Sequence, residues 1–112
     1  MDIKVKQSID ELIEVVKSTE EYKDYKRCLD SVLKNPSSKE KVERAKAIRT
    51  KIDYLPENEL NNDIGDELEN EYLELTEDTG VHNFMMTEIS ICSLIQSILS
   101  EFINGIDIDV NI

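Results

Sequence analysis

The stretch from Phe84 to Ile103 constrains the fold more than any other part of the chain. Phe84, Met85, Ile89, Cys92, Ile95, Leu99, Phe102 and Ile103 recur at helical spacing, and Met86, Ile91, Leu94 and Ile98 widen the band. A helix on the surface of a globular protein needs an apolar stripe only about 100° wide. This one is apolar over most of its circumference, so it needs cover on several sides. A chain of 112 residues has few elements to supply that cover. The pattern therefore predicts an all-α protein whose last helix is its assembly element. The expected oligomer interface is Phe84, Met85, Ile89, Cys92, Ile95, Leu99 and Phe102. A membrane span asks for roughly 20 predominantly apolar residues. Thr87, Glu88, Ser90, Ser93, Gln96, Ser97, Ser100 and Glu101 interrupt this stretch, so no membrane insertion is expected.

The rest of the chain follows the same helical grammar. Only three Gly and two Pro punctuate it, and with no Trp, two Phe and four Tyr any core is mainly aliphatic. Ser8-Ile9-Asp10-Glu11 reads as a capping box opening a first helix, with Ile9, Leu12, Ile13 and Val16 as its stripe to about Lys17. Ser18-Thr19-Glu20-Glu21 is a second box, followed by Tyr22, Tyr25, Leu29, Val32 and Leu33. Asn35-Pro36 ends that helix, because the residue before proline avoids helical geometry. Ser37-Ser38-Lys39-Glu40 caps a third helix with the stripe Val42, Ala45, Ile48, Ile52 and Leu55, closed by Pro56. Asn58 to about Thr79 reads as a fourth, with Leu60, Ile64, Leu68, Tyr72 and Leu75 recurring. Gly65 lies inside it at a cost of ~1 kcal/mol against Ala, which suits a kink. Gly80 suits the end of that helix, and a fifth runs from about Asn83 to Asn104. The expected architecture is about five helices in an antiparallel bundle, forming an intertwined oligomer. One domain spans 1–105, and a tail follows over 106–112, where Ile106 to Ile112 alternate as a strand would.

Charge is distributed unevenly along these helices. The first 51 residues carry 13 basic and 10 acidic side chains, whereas the last 61 carry 15 acidic and no basic ones. A formal charge of −12 opposes direct nucleic-acid binding, which relies on Lys and Arg neutralising phosphates. Most of the negative charge falls on the fourth helical segment. Glu67, Glu71, Glu74 and Asp78 are its candidate partner surface. Carboxylates at i and i+4 share a helix face, which raises the question of a metal. A di-metal site in a bundle, however, uses Glu-x-x-His on inward faces, and no such motif occurs. The acidic groups lie opposite the apolar stripe and read as a solvated face. His82 reads as an ordinary helix-start residue, and Cys28 and Cys92 read as core thiols kept reduced in a cytoplasmic chain. With no phosphate loop, catalytic triad or zinc spacing, no catalytic residue, metal or cofactor is expected.

Three stretches together carry a family resemblance. They are Glu11-Leu12 through Ser18-Thr19-Glu20-Glu21-Tyr22-Lys23-Asp24-Tyr25-Lys26, then Lys34-Asn35-Pro36 leading into the third helix, and the apolar last helix from Val81 to Ile103. In order and wording they resemble the YlbF/YmcA family of small helical regulators of Gram-positive bacteria. The resemblance implies an all-helical protein that self-associates or pairs with related subunits and has no catalytic activity. It also implies protein partners in a regulatory complex, with links to competence, biofilm formation, sporulation and RNA processing. Some members carry C-terminal cysteines associated with iron–sulfur clusters. The tail here has none, so no cluster is carried over. The expectation is a cytoplasmic, non-enzymatic regulatory adaptor. The alternatives from other classes are a carboxylate-metal or redox helical enzyme and a structural or chaperone-like helical oligomer.

Overall fold

The computed structural model describes residues 1–60 and 62–107, with Glu59 and Leu60 in backbone only. Every regular element among the described residues is a helix: α1 (Ile3–Lys17), α2 (Glu20–Leu33), α3 (Pro36–Asp53), the single turn α4 (Glu57–Leu60), α5 (Asp63–Leu75) and α6 (Thr79–Ile106). The all-α class and the long apolar C-terminal helix are as the sequence leads one to expect.

The helix ends differ from the sequence reading, and each difference has a local cause. α1 begins at Ile3, not Ser8, because the Asp2 carboxylate accepts the amides of Lys4 (2.7 Å) and Val5 (3.4 Å). Ser8 is interior. Of the second box, Thr19 does the capping. Its Oγ1 accepts the Tyr22 amide and donates to the Val16 carbonyl, while Ser18 closes α1 by donating to the Val15 carbonyl. Asn35 begins α3, accepting the amides of Ser37 and Ser38, with Pro36 in the first helical turn, where its missing N–H costs nothing. The expected fourth helix is two elements. Asn62 accepts from Ile64 and Gly65 and starts α5 afresh, so the break precedes Gly65, which is buried within α5. Gly80 ends no helix. It lies in the first turn of α6 with no positive φ, and Asp78 caps that turn by accepting the Val81 amide at 3.2 Å. At the far end α6 runs through Gly105 to Ile106, and Asp107 takes the left-handed conformation with φ 63°. The rest of the alternating tail, 108–112, lies outside the described residues.

Contacts divide the chain into two compact units, and α2 and α6 each contribute residues to both. Unit 2, Arg27–Met86, holds most of the buried apolar side chains. Val42, Ala45 and Ile48 repeat every three residues along α3 and are buried, as are Val32 of α2 and Val81, Phe84 and Met85 of α6. α3 packs against α5. Polar ties reinforce this packing. Arg44 donates to both carboxylate oxygens of Glu71 (2.7 and 3.0 Å), Lys41 pairs with Asp78 (3.2 Å), and the Lys46 ammonium lies 5.4 Å from the Phe84 ring centroid.

Unit 1 comprises Met1–Lys26 and Thr87–Ile112, that is, α1, the start of α2 and most of α6. Among its described residues only Ile91 is buried. α6 is long and apolar enough to cross a membrane by length and composition alone. The core helix of a soluble protein passes the same test because it is buried, yet little of the most apolar stretch of α6 is buried within this chain.

Candidate assembly groove and acidic face

Unit 1 contains an open groove of about 530 Å³. Leu12, Ile13, Val16 and Lys17 of α1 form one wall. Glu88, Ile91, Cys92, Ile95, Ile98 and Leu99 of α6 form the other, and Tyr22 and Tyr25 of α2 complete the lining. The walls follow from helical periodicity. Residues 88, 91, 92, 95, 98 and 99 return to one face of α6 every three or four positions, as 12, 13, 16 and 17 do on α1.

These side chains are apolar and only half covered. Leu12 is 45% exposed, Ile13 43%, Ile95 46% and Leu99 54%. Full burial of a Leu or Ile side chain is worth about 1.5–3 kcal/mol. Four such residues left half exposed forgo on the order of 3–6 kcal/mol. That is comparable to the whole stability of a small domain, about 5–15 kcal/mol, so an occupant of this groove would gain substantially.

The expected interface residues separate into two groups. Phe84 and Met85 are buried in unit 2, so they serve the chain's own interior. Cys92, Ile95 and Leu99 line the groove, and Ile89 and Phe102 are exposed on α6. Cys92, read from the sequence as a core thiol, is an exposed free thiol, and Cys28 is half-buried and also free. The α1 wall was not among the expected interface residues. Its stripe Ile9, Leu12, Ile13 and Val16 was read as the apolar side of a first helix, and only the folded chain shows that the described residues of unit 1 leave it part exposed. Tyr22 and Tyr25, likewise read as packing residues, are half-buried at the groove.

The acidic candidates also divide. Glu71 is held by the Arg44 fork, which keeps its carboxyl below the usual carboxylate range. Asp78 is held below that range first by the Val81 amide and then by Lys41. Glu67 and Glu74 are exposed on α5. Two of the four carboxylates therefore brace unit 2, and two face solvent. Among the described residues no group of three or more His, Cys, Asp or Glu is placed to hold a metal ion.

A family model described as control of competence regulator ComK, YlbF/YmcA, matches residues 5–107. That is nearly the whole chain, and the chain belongs to this regulatory family. No curated protein and no solved structure matches it.

Proposed function

We propose that this member of the YlbF/YmcA family is a cytoplasmic, non-catalytic regulatory adaptor. It acts through protein–protein contact in a developmental or RNA-processing pathway such as competence, biofilm formation or sporulation. The observation that carries this reading is the half-covered apolar groove of unit 1 in a chain of a regulatory family. An apolar face of this kind marks an interaction site. The groove serves assembly, with a second copy or a related subunit, and the solvent-facing Glu67 and Glu74 of α5 face further protein partners. α2 and α6 are shared by both units, which supports treating 1–105 as one helical domain with a tail over 106–112. The charge of −12 favours reaching any RNA through a protein partner over direct contact.

Affinity capture from the native cell tests this reading. The wild-type chain is expected to retain partners in fixed stoichiometry. Leu99→Glu, which places a charge on the groove wall and leaves unit 2 untouched, is expected to lose them while keeping its helical circular dichroism. Equal capture by the two proteins would remove the groove from the account.

A further inference from the structure

α6 ends in a turn with little cover among the described residues. Phe102, Asn104, Gly105 and Ile106 are exposed there, and Ile103 is half-buried. A β-carbon placed on Gly105 would meet no atom within 4 Å. The turn is therefore held mainly by its own backbone hydrogen bonds. Glycine is the weakest helix former after proline. No basic side chain stands in this last turn to offset the negative end of the helix. The Asp107 amide is shared between the Ile103 and Asn104 carbonyls, both at 3.2 Å, where the chain leaves the helix. Ends of this kind are the first part of a helix to open.

Asn104-Gly105 is the one Asn-Gly pair in the chain, and the other asparagines precede Pro, Glu, Asn, Asp, Phe or Ile. An asparagine carboxamide carbon can be reached by the backbone nitrogen of the next residue, closing a five-membered ring. A side chain on that next residue hinders the approach, and glycine has none. Helical geometry holds the nitrogen out of line with the carboxamide and spends its N–H on the backbone ladder. Opening of the last turn releases both restraints.

We propose that Asn104 is a spontaneous modification site, deamidating slowly through a cyclic imide when the last turn of α6 opens. The Gly105 nitrogen loses its proton to a solvent base and bonds to Asn104 Cγ. The Cγ–Nδ2 bond breaks, and Nδ2 leaves as ammonia after taking a proton from water. Water then adds to one of the two imide carbonyls. Opening at Cγ leaves an aspartate side chain at this position. Opening at the backbone carbonyl leaves isoaspartate, with one extra methylene in the main chain. Water is the co-reactant, and nothing is oxidised or reduced. Either product sets a carboxylate between Glu101 and Asp107, three residues away on each side. Like charges at helical spacing repel, and a carboxylate is disfavoured at a helix C-terminus. The turn that opened to react then stays open, so α6 shortens as the protein ages.

Peptide mapping by mass spectrometry, on the folded chain held at mildly alkaline pH, tests the site. Isoaspartate and aspartate are expected to accumulate at position 104 with release of ammonia. Asn70 and Asn83, inside α5 and α6 and followed by Glu71 and Phe84, are expected to keep their amides. Gly105→Ala puts a β-carbon into open space, keeps the fold and is expected to lose the products. Denaturant is expected to speed the reaction of the wild type. An Asn104 amide as durable as those of Asn70 and Asn83 overturns the site. Equal product from Gly105→Ala overturns attack by the Gly105 nitrogen, and a rate unchanged by denaturant overturns gating by the last turn. Circular dichroism of the reacted chain should show less helix than Gly105→Ala aged beside it, and equal helix content would overturn the shortening of α6.

Discussion

Asp78 holds two helices at once. Its Oδ1 accepts the Val81 amide at the start of α6, and its Oδ2 takes the Lys41 ammonium of α3, 37 residues away in sequence. Both contacts favour the charged form, as the Arg44 guanidinium does for Glu71. A carboxylate whose folded pKa is depressed contributes stability that is fully present above its unfolded value. That stability is lost as pH falls through the folded one. Unit 2 should therefore weaken as pH drops below about 4, the ordinary carboxylate value. Asp78→Ala removes the cap at the start of α6 and should lower stability at neutral pH and make the acid limb shallower. Thermal melts of wild type and variant across that range decide it, and parallel limbs would remove Asp78 from the explanation. Ile48, fully buried on α3, is the apolar counterpart. Ile48→Ala leaves a cavity and should cost about 2–5 kcal/mol in denaturant unfolding.

α6 is one helix with two kinds of surroundings. Its opening turns put Val81, Phe84 and Met85 into the interior of unit 2, while Ile89, Ile95, Leu99 and Phe102 stay exposed farther along. The same residue type should therefore behave differently at its two ends. Phe84→Ala should cost about 3–5 kcal/mol, with loss of the Lys46 contact included. Phe102→Ala, at a position 63% exposed, should shift the stability of the dilute chain by less than about 0.5 kcal/mol. Chemical denaturation at low protein concentration measures both. Equal costs would mean that the exposed half is covered even in the single chain. The helix starts show how far local reading reaches. Asn, Asp, Ser and Thr were visible as caps, but several could compete for each start, and the choice among Asp2, Ser8, Ser18, Thr19 and Asn35 depends on which hydroxyl or carboxylate reaches an unpaired amide.

At the scale of the whole molecule, the two units differ in how much they bury. Unit 2 has a core with ion pairs bridging its helices, while unit 1 has a single buried side chain among its described residues. If the groove is where copies or subunits meet, folding and assembly are linked by mass action. The thermal midpoint should then rise with protein concentration, and Leu99→Glu should abolish the rise without lowering the midpoint of the dilute chain. A wild-type midpoint independent of concentration would count against that linkage.

The amino-acid sequence by itself determined the helical class, the approximate helix order, the breadth of the apolar band on α6 and the family. These rest on spacings of three and four residues and on side chains that meet the nearest backbone amides, all short-range interactions. The tertiary structure alone decided which part of that band the chain covers for itself. Phe84 and Met85 went into unit 2, and Ile95 and Leu99 were left at a groove opposite Leu12 and Ile13. It also drew Glu71 and Asp78 out of a uniform acidic ladder and onto α3. The physical reason is range. Burial and ion pairing depend on residues tens of positions apart along the chain, and helical periodicity says which side chains share a face but not what that face will meet.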